Sequence, residues 1–151
     1  MTESNIVLPK GTIVPNHIAI ILDGNRRWAR SKGLPTLEGH KAGFTAGLKI
    51  AKASRSWGVH TFTVWGLSTE NWDRSPKELA YLMKLYWKMV STIEEETKKD
   101  DIRFVHLGRK DRIPKSLALY IKRIEEKTKN NKTHVFNAAI DYGGHDEILR
   151  A

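Results

Sequence analysis

The chain has 151 residues, enough for one hydrophobic core and short for two, and its 40% apolar and 28% charged residues are ordinary for a globular protein. It contains no cysteine, which excludes disulfides, thiolate metal sites and a cysteine nucleophile. Its 26 Lys and Arg against 17 Asp and Glu give a formal charge of +9. That balance favours an anionic partner (nucleic acid, an anionic membrane surface or a phosphorylated small molecule), with a merely basic solvated surface as the plain alternative.

Residues 1–14 include Glu3, Pro9, Lys10 and Gly11 and lack the apolar core of a signal peptide, so they read as a flexible segment ahead of a single domain over 15–151. The longest apolar run, Ile18–Leu22, falls far short of the roughly 20 residues of a membrane span. The expectation is a soluble, cytoplasmic protein. His17–Leu22 is short, continuous and rich in isoleucine, as a buried strand is. Gly39–Trp57 has helical character and ends at Gly58, a suitable stop. Val59–Trp65, β-branched and aromatic, reads as a second strand. A second helix opens at Ser75-Pro76-Lys77-Glu78, with Ser75 as cap, Pro76 in the first turn and Glu78 placed as in a capping box. Leu79, Leu82, Met83, Tyr86, Met89, Val90 and Ile93 follow at helical spacing and predict a core-facing stripe. Ile102–Leu107 is a third strand, Pro114–Lys127 a third helix and Thr133–Ile140 a fourth strand; a last helix begins near Asp146. The alternation predicts an α/β domain with a mainly parallel central sheet and helices on both faces. A final helix of one or two turns at Ala151 reads as a domain truncated at its carboxyl-terminal end.

Ligands of open parallel sheets bind beyond the carboxyl ends of the strands. Those positions carry Asp23-Gly24-Asn25-Arg26-Arg27-Trp28, Ser68-Thr69-Glu70-Asn71-Trp72-Asp73-Arg74, Gly108-Arg109-Lys110-Asp111-Arg112 and Asp141-Tyr142-Gly143-Gly144-His145. In the first stretch a carboxylate is placed to hold Mg²⁺, a glycine admits close approach, and two arginines offer forked donors to phosphate beside the start of a helix. This points to a Mg²⁺-diphosphate or phosphate site, although Asp23 as a helix cap with surface arginines would read the same. Trp65 and Trp72 beside such a site suit an isoprenoid or a nucleobase, or simply plug the sheet edge. The P-loop and dinucleotide glycine patterns are both absent.

Four segments together resemble the cis-prenyltransferases, the undecaprenyl diphosphate synthase group: His17–Trp28, Gly39-His40-Lys41-Ala42-Gly43, Leu67–Arg74 and Ala139–Gly144. They stand in the family's order and spacing. The resemblance implies an enzyme that condenses isopentenyl diphosphate onto an allylic diphosphate, with Mg²⁺ as cofactor, as a homodimer, with no nucleic acid and with peripheral membrane contact through the lipid product. It implies that Asp23 serves Mg²⁺ and the departing diphosphate, and that Gly24, Asn25, Arg26 and Arg27 cradle the allylic diphosphate. Trp28 and His40 match further substrate-binding positions. Ser68, Thr69 and Glu70 match a flexible active-site segment, Asn71 a residue with a role in proton removal, and Trp72 and Arg74 substrate contacts.

The sequence departs from the family in three places. Thr36 stands where an arginine is common, with Arg30 or Lys32 as substitutes. Asp141 and His145 replace an asparagine and an arginine. The family's last motif, with the residues that hold isopentenyl diphosphate, is not among these residues, so the expectation is a donor half-site without its acceptor half and a chain inactive alone. The rival within the family is a non-catalytic partner subunit of a heteromeric enzyme, against which the intact Asp23–Arg27 stretch argues. A nucleic-acid module is disfavoured because the Lys and Arg are scattered and no binding motif is present.

Overall fold

A computed structural model describes residues 8–151. The leading segment expected over 1–14 lies outside the described residues as far as residue 7; residues 8–14 hold one turn, in which Thr12 N donates to Pro9 O at 3.1 Å. The elements in chain order are β1 (His17–Ile21), α1 (Asn25–Ser31), α2 (Thr36–Ser56), β2 (Thr61–Ser68), a 3-10 turn (Thr69–Asp73), α3 (Pro76–Asp100), β3 (Ile102–Leu107), α4 (Lys115–Thr128), β4 (His134–Tyr142) and α5 (Gly144–Arg150). The four strands form one all-parallel sheet in the order β1-β2-β4-β3, the α/β class that the alternation predicts.

Alternate residues of the strands point to one face. Phe62 of β2, Phe136 of β4 and Phe104 of β3 are register partners, and their rings stack at 6.0 and 6.1 Å between centroids. Burying each such ring contributes about 1.5–3 kcal/mol. α3 covers them with Leu82, Met83, Tyr86, Met89, Val90 and Ile93, the stripe read from its spacing. Ser75 caps α3 as expected, its Oγ accepting from Glu78 N at 3.3 Å. α2 lies beside α3 on the same face, where Phe44 and Leu48 join the core.

Helical cover is met on that face. The described residues place α4 along the outer edge of β3, where Thr128 Oγ1 accepts from Phe104 N at 3.0 Å and Glu125 Oε1 from His106 N at 2.9 Å. The helix thereby satisfies edge donors that would otherwise invite another strand. The opposite face carries a polar ladder: Thr63 Oγ1 joins His17 Nε2 at 2.7 Å and accepts from Asn137 Nδ2 at 3.0 Å.

Two element bounds differ from the sequence reading for physical reasons. α2 starts at Thr36, after Pro35, so Gly39 lies inside the helix and does not begin it. β2 runs on to Ser68 because its register against β4 shifts on both sides of Leu67, which carries the strand past Gly66 and brings Ser68 opposite Tyr142.

Candidate active site

The carboxyl ends of β1 and β2 open into a cleft of about 620 Å³ between the sheet, α1, α2 and α3. Its mouth is charged. Arg26, Arg27, Arg30 and Arg74 line it together with a single carboxylate, Asp23. Asp23 follows β1 on an exposed turn; its Oδ1 accepts from Gly24 N at 2.5 Å and its Oδ2 from Arg27 at 3.2 Å, with both side chains more than three-quarters exposed. Gly24 takes a left-handed φ of 80° that a side chain would strain, and this turns the chain into α1.

The segment Gly39–Gly43 has a steric role that its motif alone does not state. A Cβ on Gly39 would stand 2.1 Å from the carbonyl oxygen of Asn25, and one on Gly43 would stand 2.1 Å from Asn25 Oδ1. The two glycines, one helical turn apart on α2, make the seat into which the first residue of α1 fits. Asn25 Nδ2 reaches back to Leu22 O at 3.2 Å, so this contact fixes the end of β1 as well.

A second polar wall faces the first. His40, buried on α2, joins Glu78 Oε1 through Nε2 at 2.8 Å. Arg74 donates to the same Glu78 oxygen at 3.2 Å and to Asn71 Oδ1 at 3.2 Å. Asn71 Oδ1 also accepts from Ser68 N at 3.3 Å. The chain His40–Glu78–Arg74–Asn71–Ser68 ties α2, α3 and the 3-10 turn together. Glu78, only 8% exposed, is at its centre; the sequence marked it as part of a helix cap, and its pairing with His40 is 38 residues away in the chain.

Of the residues singled out in the sequence, Asp23, Gly24, Asn25, Arg26, Arg27, His40, Ser68, Asn71 and Arg74 line the cleft, and Arg30 joins them. Trp28, Thr69, Glu70 and Trp72 do not line it. Trp28 is 45% exposed on α1. Thr69 packs on the turn at Gly143, where a Cβ would meet its Oγ1 at 2.4 Å. Glu70 bonds to Ser68 Oγ, and that hydrogen bond holds its carboxyl below the usual range. Trp72 points away from the cleft, donating from Nε1 to Asp141 Oδ1 at 2.8 Å.

Asp141 is fully buried, with a left-handed φ of 56°, and Arg112 pairs with both of its oxygens. Arg112 also stacks over Trp72 at 5.5 Å. The unusual carboxylate is therefore matched by a cation from the loop after β3. His145 is exposed, with Glu70 within its electrostatic reach.

Beyond the charged mouth the cleft becomes apolar. Phe44 of α2 and Leu82, Leu85 and Tyr86 of α3 form its wall, with Gly66 opposite. Gly66 gives way to the Tyr86 ring, which a Cβ there would meet at 2.9 Å, and its carbonyl accepts from Tyr86 Oη at 2.7 Å. Burial pushes the Tyr86 hydroxyl well above the usual tyrosine range, so this wall is neutral. Leu22 and Phe44 continue inward to a small gap of about 10 Å³ among Leu48, Val64, Met89 and Phe136.

Among the described residues no three His, Asp or Glu side chains are grouped to hold a metal ion by themselves. A hard cation such as Mg²⁺ can be held by a single carboxylate where water and phosphate supply the other oxygens, and Asp23 is the carboxylate that lines the cleft. No helix among the described residues is long and apolar enough to cross a membrane.

Residues 21–151 match the family of undecaprenyl diphosphate synthases. The chain is 41% identical over 138 residues to an isoprenyl transferase of Aquifex pyrophilus, covering 91% of this chain and 60% of the relative. It is 37% identical over 139 residues to dehydrodolichyl diphosphate synthase 2 of Arabidopsis thaliana, covering 92% of this chain and 45% of that protein. Among solved structures it is similar to lavandulyl diphosphate synthase of Lavandula x intermedia in complex with dimethylallyl diphosphate: TM-score 0.81, 37% identity, 90% of this chain and 58% of that one. The chain thus spans about 60% or less of the length of these relatives.

Proposed function

This chain belongs to the undecaprenyl diphosphate synthase family of cis-prenyltransferases, and on that premise we propose that its cleft binds the allylic diphosphate in cis-prenyl transfer to isopentenyl diphosphate. The observation that carries the reading is the join, within one cleft, of a mouth lined by four arginines and an apolar wall of Phe44, Leu82, Leu85 and Tyr86. A prenyl diphosphate has that polarity: a multiply charged head and a hydrocarbon tail. The relative from Lavandula x intermedia was solved with such a compound.

In this reading Arg26, Arg27 and Arg30 receive the diphosphate with charge-assisted bonds. The Asp23–Arg27 contact is exposed, so it yields to a ligand at little cost. Asp23 is the residue that would hold Mg²⁺, which when bound supplies further charge neutralisation to the leaving diphosphate. The allylic C–O bond breaks with its electron pair on the diphosphate oxygen. The isopentenyl double bond attacks the allylic carbon, and the proton then lost from the isopentenyl unit passes to an oxygen of the released diphosphate or to water, which leaves the new cis double bond. Asn71 already accepts at Oδ1 from Ser68 N and Arg74, so its amide N–H groups are what it offers, and its role in proton removal is to orient the oxygen that takes the proton. The tail lies along Phe44 and Tyr86 toward the gap at Met89. Homodimer formation, peripheral contact with a membrane and the second substrate's site belong to the same reading of the whole protein. The 151-residue chain alone is expected to bind the donor without turning it over.

The test is calorimetric titration of the 151-residue protein with farnesyl diphosphate, with Mg²⁺ and with chelator. Saturable binding that chelator weakens and that Arg27→Ala reduces about tenfold or more supports the donor site. Absence of binding by a folded chain overturns it and favours the non-catalytic partner subunit. Product formation by the 151-residue chain would sink the expectation that it cannot turn over alone.

A further inference from the structure

We propose that Asp141 and Arg112 position the 3-10 turn of the cleft, acting through the indole of Trp72. The proposal rests on the donor-site reading and names what holds one of its walls in place. Gly108–Arg112, Asp141 and Trp72 do not line the cleft. The turn Thr69–Asp73 nevertheless presents Asn71 to it, with Ser68 and Arg74 lining the cleft from the two ends of the turn.

The relay begins at the loop after β3, which is pressed onto the end of β4. Gly108 has a φ of 110°, and a Cβ there would stand 2.6 Å from both Ile140 O and Asp141 O. Arg109 N donates to Asp141 O at 3.0 Å. Arg112 is thereby delivered to the Asp141 side chain. Its Nε donates to Oδ2 at 2.9 Å and its Nη2 to Oδ1. Trp72 Nε1 donates to the same Oδ1 at 2.8 Å. The guanidinium also lies 5.5 Å from the centroid of that indole, so Trp72 is held at its edge and on its face. Asn71 precedes Trp72 directly and is fixed in turn by Ser68 N and Arg74.

The number of donors requires a carboxylate. Three N–H groups converge on Asp141, and both of its oxygens accept. An asparagine has one acceptor oxygen, so its amide N–H groups would face an Arg112 donor in either orientation. Asparagine tolerates the left-handed φ of 56° at this position, so the exchange tests hydrogen bonds and not the backbone. A buried ion pair is a poor source of stability, because desolvation offsets the attraction, but it fixes the places of both partners.

The experiment reads Trp72 directly. The chain has five tryptophans, and the indole signal that Trp72→Phe removes from the proton–nitrogen correlation spectrum of the 151-residue protein belongs to Trp72. In Asp141→Asn that signal should move and its proton should exchange about tenfold faster or more, with the amides of Thr69–Asp73 moving too. Farnesyl diphosphate affinity should fall about tenfold or more. Trp72→Phe leaves the Arg112–Asp141 pair intact and should lose the same affinity at a smaller change in urea midpoint. A merely structural Asp141 would lower the midpoint with the Trp72 signal and the affinity unchanged, and that result overturns the proposal. Native affinity in Trp72→Phe overturns it as well. If Asp141→Asn does not fold, the turn amides and the affinity of Trp72→Phe decide alone. Absence of farnesyl diphosphate binding by the native chain sinks the donor-site reading, and the relay then stands or falls on indole exchange and the turn amides.

Discussion

The two polar walls of the cleft are built on opposite plans. The β1–α1 side carries Asp23 and Arg27, more than three-quarters exposed and joined by one contact of 3.2 Å. The facing wall, where α2 meets the 3-10 turn and α3, carries His40, Glu78, Arg74 and Asn71, largely buried and bound to each other at 2.8–3.2 Å. A charge meant for a ligand must stay available, so it is left in water where its partner is worth little. A charge meant to hold elements together must be saturated, because burying it unpaired is expensive. The cleft therefore separates a wall that binds from a wall that braces.

The largest expected effect breaks the brace. Glu78→Ala removes the acceptor shared by His40 and Arg74, leaves buried His40 Nε2 without a partner and leaves half-buried Arg74 with Asn71 alone, so it should cost about 3–5 kcal/mol. Urea unfolding measures this as a lowered midpoint at unchanged slope. A loss under about 1 kcal/mol, the range of a surface pair, would show that the brace is no brace.

The brace also marks where sequence reading stops. The first wall is contiguous from Asp23 to Arg27, so its chemistry was legible as a string of residue types after a strand. The parallel sheet was legible because each strand is a short apolar run set between amphipathic helices. The pairing of His40 with Glu78 joins residues on different helices, and no periodicity records it. Likewise Gly39 and Gly43 read as a motif, but their steric purpose appears only when Asn25 is seen seated on them at 2.1 Å from their absent side chains. Asp141 stood out as a departure; its compensation by Arg112 depends on the loop after β3 folding across to it. Trp72 read as a neighbour of the substrate, yet the bond to buried Asp141 holds its ring against the core and out of the cleft lining.

A smaller effect concerns the foot of the third loop. His106 is 6% exposed; Nε2 donates to Ile140 O at 3.0 Å, and Nδ1 is buried with no partner. Burial first, then Lys110, push its pKa down to about 4 from 6.5, against the opposing pull of Glu125 and Asp141. The unfolded chain binds this proton more readily, so the contribution is complete above pH 6.5 and is lost as pH falls toward 4. The full span is about 3 kcal/mol. Denaturant unfolding at pH 7 and pH 5 should show the loss, and His106→Gln should remove most of that difference. An equal pH dependence in both proteins would refute the assignment.

Next come the two glycines. Gly39→Ala presses on the backbone carbonyl of Asn25 and should cost about 1–3 kcal/mol, because α1 must shift. Gly43→Ala meets only the Asn25 side chain and should cost less, about 1 kcal/mol, mainly by breaking its bond to Leu22 O. Both should weaken farnesyl diphosphate binding, since both move the arginines that α1 carries. If Gly39→Ala lowered stability with affinity intact, α1 would be excluded from the binding wall.

The smallest effect on stability separates the walls most cleanly. Asp23→Ala removes an exposed carboxylate whose partners are its neighbour's N–H and an exposed guanidinium, so unfolding should move by no more than about 0.5 kcal/mol. The same change should abolish the Mg²⁺-dependent part of farnesyl diphosphate binding and leave the Mg²⁺-independent part, held by the arginines, in place or strengthened. That split follows from the charge balance of the mouth: without Asp23 the arginines have no carboxylate to compete with the diphosphate, while a divalent cation has no protein oxygen to anchor it. Calorimetry with and without chelator reads both parts in one variant. Equal loss in both conditions would place Asp23 in the positioning of Arg27 and would turn the binding wall into a second brace.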